Sequence, residues 1–177
     1  MKWLCRLFKS RNKRLDIEKL RRFSASRWPE DLGTTHGVEH WDRVAFFGMM
    51  LYQEGADSDV IQAFAYLHDS ERMNNEDDIN HGKRASELID LIRRTELRGM
   101  SNEQIAKLKR ACELHTIERK TGDLTIDICF DADRMDLLRV GIMPKPERMA
   151  TQRGAELISD PDYEKFYTHE VLLCAKD

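Results

Sequence analysis

The chain has 177 residues, of which 41% are hydrophobic, 34% charged and 8% aromatic. This composition is typical of one soluble globular domain and excludes collagen-like, low-complexity and disordered classes. Nine glycines and four prolines are few, which favours long helices over turn-rich β structure. The net charge of −3 divides into +8 over residues 1–27 and −11 over the remainder, so a long nucleic acid is not expected as a partner.

The sequence contains no apolar run near the roughly 20 residues that cross a bilayer, and its first eight residues are too short and too charged for a secretory signal. Its four cysteines, Cys5, Cys112, Cys129 and Cys174, lie far apart without a CxxC pair. Reduced thiols in a cytoplasmic protein are therefore expected, rather than a disulfide framework or a thiolate metal site. The basic segment 1–14 is interpreted as a surface-docked helix or as a weak attraction to anionic lipid or nucleic acid.

Periodicity and capping signals predict helices throughout and no strand of convincing length. The Trp28-Pro29 pair ends the first helix, Ser101 with Gln104 forms a capping box, and Asp160-Pro161 opens the last helix. The fold predicted is all-α: a single compact helical domain over 28–177, preceded by a basic segment and helix over 1–27. The predicted helices cover about 13–27, 38–54, 57–69, 82–98, 102–119, 125–140 and 161–175.

Polar residues interrupt four of the predicted apolar stripes. His40, His68, His115 and Asp133 each recur with core residues at helical spacing, so all four are expected to face one interior. A buried carboxylate without a partner costs several kcal/mol. Imidazole and carboxylate ligands suit Fe, Mn, Co, Ni or Zn, and the stripes therefore indicate a metal site. The alternative is a buried His–Asp hydrogen-bond network without metal.

These residues belong to an ordered set of motifs that resembles the HD superfamily of metal-dependent phosphohydrolases, in particular small bacterial HD proteins. The matching segments are HGVEHWDRV (36–44), YLHDSER (66–72), HGKRA (81–85), ELHT (113–116) and DADRMD (131–136). They follow one another in the family's order over about 36–145, the motif-bearing part of the domain.

The resemblance implies one or two divalent transition-metal ions. A first ion would take His40, His68, Asp69 and Asp133, with Asp131 the less favoured aspartate of its segment. A second ion would take His81 and His115, with Asp69 as the bridge. His81 alone is equally well interpreted as a residue at the start of a helix. Asp69 and His68 are the predicted catalytic residues.

Other polar residues near the motifs are candidates for contacts to substrate or to the ligands. His36, Arg72, Lys83 and Arg84 are the substrate-binding candidates, although each cation is also compatible with a solvated surface position. Arg134 and Asp136 are expected to contact the ligands or other buried carboxylates rather than an ion.

The function expected from the resemblance is hydrolysis of a phosphate ester or anhydride of a small molecule, with a nucleotide as the favoured substrate, by a metal-activated hydroxide. Two alternatives stay open. One is a di-iron oxygenase of the same superfamily, which the additional His81/His115 pair permits. The other is a non-catalytic nucleotide-binding regulator. The amphipathic terminal helices also leave a homodimer open.

Overall fold

The computed structural model describes residues 15–171. The predictions for the basic segment 1–14, for Cys5 and Cys174, and for the end of the last helix lie outside this range. Within it the chain is all-helical, which confirms the predicted fold class, and no strand occurs among residues 15–171. No helix in that range combines the length and the apolar character that crossing a membrane requires.

Eight α-helices follow one another between residues 15 and 171, with short 3₁₀ turns at Glu30–Leu32, Asp136–Val140 and Pro146–Arg148. They are α1 Ile17–Arg27, α2 Val38–Leu51, α3 Ser58–Leu67, α4 His81–Ile92, α5 Asn102–Leu114, α6 Leu124–Met135, α7 Gln152–Ile158 and α8 Tyr163–Phe166. A π-helical turn, Tyr167–Val171, continues α8.

The core lies between α2, α3, α5 and α6. Helix α2 packs against α3 and α6, α5 packs against α3, α4 and α6, and α3 also contacts α6. The largest fully buried side chains are Trp41 and Phe47 on α2, Phe64 on α3 and Phe130 on α6. The predicted apolar stripes therefore become the faces that meet in this core.

Helix α1 packs on this core as part of the same unit. Leu20 is fully buried and α1 contacts α3. The Arg21 guanidinium forms two hydrogen bonds with the Asp42 carboxylate of α2, at 2.7 and 2.6 Å. The Tyr66 hydroxyl of α3 donates to the same carboxylate at 3.1 Å. Residues 15–27 thus pack against the other helices.

Several predicted helices end earlier in the structure. Helix α2 ends at Leu51 and not near 54, α4 ends at Ile92 and not near 98, and α5 ends at Leu114 and not near 119. After α5, the Arg134 guanidinium caps the chain by donating to the carbonyls of Glu118 at 2.7 Å and Arg119 at 2.8 Å. These carbonyls are therefore satisfied without a further helical turn.

The segment after α6 differs most from the prediction. Helix α7 was not predicted; Thr151 caps it by accepting from the Gly154 amide at 3.0 Å. Its first turn contains Gly154, where a Cβ would lie 2.5 Å from Asp131 Oδ2, so the sequence lacks a continuous helical pattern. The last helix begins later than predicted: Asp160 and Pro161 precede it, and α8 begins only at Tyr163.

Candidate metal centre

Five helices bring the predicted ligands together. His40 lies in the first turn of α2, His68 and Asp69 follow α3, His81 begins α4, His115 follows α5, and Asp133 lies in the last turn of α6. The short connection between Asp69 and α4 does bring His81 into the cluster. The four histidines and Asp69 are buried, whereas the Asp133 side chain is 22% exposed and marks the side open to solvent.

Hydrogen bonds fix the tautomers of His40 and His68. His40 Nδ1 lies 2.7 Å from Asp136 Oδ2, and His68 Nδ1 lies 3.1 Å from the Phe64 carbonyl oxygen. Carbonyl oxygens and ionised carboxylates only accept hydrogen bonds, so each Nδ1 must carry the proton. In the neutral rings, Nε2 then carries no proton, and its lone pair is free to accept a hydrogen bond or to bind an ion.

His81 and His115 repeat the same arrangement with backbone carbonyls. His81 Nδ1 donates to the Asp78 carbonyl, and His115 Nδ1 donates to the Cys112 carbonyl at 2.7 Å. Histidines that bind metals usually donate their other ring N–H to a carbonyl or carboxylate in this way. When the rings are neutral, all four Nε2 atoms therefore face the cluster as acceptors.

We call the first ligand group the four atoms His40 Nε2, His68 Nε2, Asp69 Oδ2 and Asp133 Oδ1. The two histidine nitrogens are 3.2 Å apart. Asp69 Oδ2 lies 3.6 Å from His40 Nε2 and 3.7 Å from His68 Nε2. Asp133 Oδ1 lies 3.4 and 3.7 Å from the same nitrogens.

We call the second ligand group the three atoms Asp69 Oδ1, His81 Nε2 and His115 Nε2. The two nitrogens are 3.0 Å apart, and Asp69 Oδ1 lies 3.1 Å from His81 Nε2 and 3.8 Å from His115 Nε2. The two groups therefore share one carboxylate, which contributes one oxygen to each.

These spacings fit a metal ion. Ligand atoms about 2.1 Å from a tetrahedral ion are about 3.4 Å from one another, and the measured spacings of the first ligand group surround that value. The chemistry agrees, because Nε2 lone pairs that face one another and face carboxylates repel unless a cation lies between them. Three overlapping sets of these side chains lie close enough together to hold a metal ion: His40, His68 and Asp69; His68, His115 and Asp133; and Asp69, His81 and His115.

The electrostatics of the cluster favour ionised aspartates and a neutral His68. Burial opposes ionisation of Asp69 and Asp133, but the neighbouring histidines outweigh it and hold the pKa of both carboxyls below the usual value. Burial lowers the pKa of His68 to about 3. Burial also opposes protonation of His40, yet hydrogen bonds to Asp133 and Asp136 outweigh it and raise its pKa.

The low pKa of His68 predicts that the free energy of unfolding of the metal-free protein depends on pH. As the pH falls below about 6.5, an unfolded His68 binds a proton that the folded chain accepts only near pH 3. The contribution of neutral His68 to the free energy of unfolding is therefore complete above about pH 6.5. It is lost on acidification, by up to about 1.4 kcal/mol per pH unit. Urea unfolding of wild type and His68→Gln between about pH 7 and pH 5 should show a shallower pH dependence in the variant.

The raised pKa of His40 acts in the opposite direction. The stability that His40 contributes is present at low pH and is lost as the pH rises through the pKa of His40 in the folded chain. His40 remains in both proteins, so the difference between them isolates His68. Equal pH dependences would contradict the prediction.

Asp136 orients His40 from behind. This fully buried carboxylate also accepts from Arg43 Nε at 2.7 Å and from the Tyr167 hydroxyl at 2.6 Å. Burial would raise the pKa of Asp136, but His40 and Arg43 outweigh it and lower the pKa. The charged Asp136 carboxylate thereby keeps the His40 proton on Nδ1.

Gly82 allows α4 and α5 to approach closely beside His81 and His115. A Cβ at Gly82 would overlap the Cys112 carbonyl oxygen and lie 3.4 Å from His115 Cε1. That carbonyl is the one that orients His115. The glycine of the HG segment is therefore required by helix packing at the second ligand group.

Gly82→Ala is expected to lower the free energy of unfolding by about 1–3 kcal/mol, because the methyl group pushes α4 away from α5. Metal binding at the second ligand group should weaken, since His81 and His115 then separate. Denaturant unfolding and equilibrium dialysis with Mn²⁺ would measure both effects. Glu87→Ala, an exposed substitution on α4, is the control; a Gly82→Ala protein as stable as this control would contradict the argument.

The four substrate-binding candidates separate into two pairs. His36 Nδ1 lies 3.0 Å from Asp69 Oδ2, and Arg72 Nε donates to Asp69 Oδ1 at 3.0 Å, so both line the cluster. Arg84 instead binds within the preceding loop, to Asp78 and to the Glu71 carbonyl. The Lys83 side chain is exposed. The geometry therefore favours His36 and Arg72 over Lys83 and Arg84 as groups near a substrate.

The remaining predicted polar residues have structural contacts. Asp131 accepts from the Ala150 amide at 2.7 Å and from the Thr151 amide at 2.8 Å, which attaches α7 to α6, and burial raises its pKa. Arg134 contacts Asp131 at 3.5 Å in addition to the loop carbonyls described above. Neither residue belongs to the two ligand groups.

Sequence reasoning missed Arg43, Tyr167 and Arg139. Arg139 donates to the Thr35 carbonyl at 2.9 Å and to the Asp136 carbonyl at 3.1 Å, and its NH2 lies 3.3 Å from His36 Nδ1. Its spacing of three residues from Asp136 was a signal that could have been used. Tyr167 carried none, because it lies far along the chain in the π-helical turn.

The buried cysteines do not contribute to the cluster. Cys112 and Cys129 are free thiols, in agreement with the prediction of reduced cysteines for these two. Burial raises the pKa of both thiols, so neither offers a thiolate ligand at neutral pH.

Comparison of the chain with protein-family profiles, with curated protein sequences and with solved structures finds no significant match.

Proposed function

We propose that this protein is a metal-dependent phosphohydrolase that cleaves a phosphate ester or anhydride of a small molecule, with a nucleotide as the favoured substrate. The observation that carries the proposal is the convergence of four Nε2 lone pairs on two carboxylates, with every Nδ1 engaged as a donor. The ordered motifs that resemble the HD superfamily connect this ligand chemistry with phosphoryl transfer.

The donor set fits divalent Fe, Mn, Co, Ni or Zn, with one ion in each ligand group. Such ions, when bound, lower the pKa of water and withdraw charge from phosphoryl oxygens. Asp69 would contribute one carboxylate oxygen to each ion. His68 stays neutral at physiological pH because of its low pKa, so its Nε2 remains free for an ion.

The polar groups around the cluster support an anionic substrate. Asp133 and His36 are its most exposed members, with 22% and 12% of their side chains accessible, so solvent reaches the centre from their side. Arg72 and Arg139 lie near that side as permanent cations. Guanidinium groups bind phosphate oxygens well, and the small exposed fraction of the cluster favours a terminal phosphate over a long polymer.

Elemental analysis of freshly purified protein, followed by a panel of nucleotides and other phosphoesters, tests the proposal. One or two ions per chain are expected, with a loss of metal in His81→Ala and in His115→Ala if two bind. Release of phosphate or nucleotide should require the metal. A metal-replete protein that cleaves no member of the panel would contradict the hydrolase proposal.

A di-iron oxygenase is the second candidate, favoured by the presence of His81 and His115 beside Asp69. Oxygen consumption with a mixed-valence iron signal would support it. Activity sustained equally by Mn²⁺ or Co²⁺ without oxygen would reject it. A nucleotide complex that shows no turnover would instead indicate the regulatory alternative.

A further inference from the structure

We infer that Arg72 makes binding of the second ion conditional on an anionic ligand, so that the substrate phosphate itself completes the second ligand group. This inference rests on the proposed function. It concerns the order in which ions and phosphate bind, which the ligand set alone does not determine.

The first observation is that Arg72 already donates a hydrogen bond to the oxygen that the second ion would use. Its Nε donates to Asp69 Oδ1 at 3.0 Å, the same atom that lies 3.1 Å from His81 Nε2. The guanidinium is fixed there, because its NH1 also donates to the carbonyls of Asn74 at 3.4 Å and Glu76 at 3.2 Å. A cation held this close to the bridging oxygen repels a second cation.

The second observation is the unequal charge of the two ligand groups. The first contains two carboxylates, Asp69 and Asp133, which neutralise one divalent ion. The second contains two neutral imidazoles and only a share of Asp69. With two divalent ions bound, the carboxylates of the two groups leave an excess of two positive charges, to which Arg72 adds a third.

An anion resolves this imbalance. A phosphate that reaches both ions supplies oxygen ligands and negative charge where the second group lacks them, and the Arg72 guanidinium can share in binding it. Binding of the second ion and of phosphate must then strengthen one another by the same factor, because linkage is reciprocal. The first ion needs no such help.

Equilibrium dialysis with Mn²⁺, with and without inorganic phosphate, tests the inference on the full-length protein. Without phosphate, we expect one ion bound tightly and a second bound at least about tenfold more weakly; phosphate should tighten the second by about tenfold or more. Arg72→Gln should tighten the second ion in the absence of phosphate by about tenfold. Arg72→Lys, which keeps the charge without the fixed Nε donor, should have a smaller effect.

Arg27→Gln is the matched control, since Arg27 pairs with Glu71 of the same loop at 2.9 Å without contacting Asp69. Circular dichroism should show that each variant is folded. Two equally tight ions without phosphate, or an Arg72→Gln protein whose second ion binds no more tightly than in wild type, would overturn the inference and leave the hydrolase proposal standing. Failure of any ion to bind would instead remove the proposed function itself.

Discussion

Asp69→Asn is expected to abolish metal-dependent activity and to remove metal from both ligand groups at once. Asp69 places Oδ2 in the first group and Oδ1 in the second, so a single substitution takes one charged ligand from each. Loss of an outer hydrogen-bond partner alone costs roughly 10–100-fold in metal affinity, and loss of a shared ligand should cost more. Elemental analysis and assay of the same preparation would measure the two losses.

The fold itself should survive Asp69→Asn. The asparagine amide can donate to an Nε2 atom of a metal-free histidine, which partly replaces the attraction that the carboxylate provided. Asp127→Asn is a suitable control, because Asp127 is another buried aspartate and accepts from Thr121 and Gly122 outside the cluster. The control should lose stability but keep its metal. An Asp69→Asn protein that keeps its full metal content would contradict the shared-carboxylate arrangement.

Asp136→Asn is expected to cause the largest loss of stability, about 3–5 kcal/mol in the free energy of unfolding. Three donors converge on this carboxylate, from His40, Arg43 and Tyr167. Asparagine offers them one carbonyl oxygen and turns its N–H₂ towards at least one of them. The buried Arg43 cation is then left without its counter-charge.

Denaturant unfolding of three further variants distinguishes the causes of that loss. Tyr167→Phe removes one neutral donor and should cost only about 1 kcal/mol. The double variant Asp136→Asn/Arg43→Met should be more stable than Asp136→Asn alone, because it removes the uncompensated cation. A double variant that is less stable than Asp136→Asn would contradict this explanation. Metal affinity should fall in both proteins that lack Asp136, since His40 loses the partner that fixes its tautomer.

The core and the histidines were predictable because helical periodicity determines which side chains share a face. His40, His68 and His115 recur with apolar residues at that spacing, and all three are buried as predicted. Asp133 was preferred over Asp131 because the resemblance points to it and because it also lies on an apolar stripe; Asp133 is the one that lies with the histidines, whereas Asp131 attaches α7. The confirmed result is a buried His/Asp cluster that could hold metal; the number of ions and their assignment to ligand groups stay predictions.

The residues that periodicity could not place are those that act from irregular segments. Tyr167 reaches Asp136 from the π-helical turn, and the helical sequence pattern of α7 is interrupted by Gly154, which leaves room for Asp131. His81 lies after a loop whose path depends on Asp78 and Arg84, and no local pattern predicts such a path. Lys83 and Arg84 were candidates because of their charge beside a helix N-terminus, a signal that gives no direction to a side chain; their role in substrate binding stays a prediction.

The spread of the ligand residues over five helices has a consequence for the lifetime of the protein in a cell. An ion bound by His40 and Asp133 would join segments 93 residues apart and act as a cross-link that the unfolded chain lacks. Its binding free energy would then add to the free energy of unfolding. When the metal is scarce, the chain would be more readily degraded, and its abundance would follow metal supply even without any change in its synthesis.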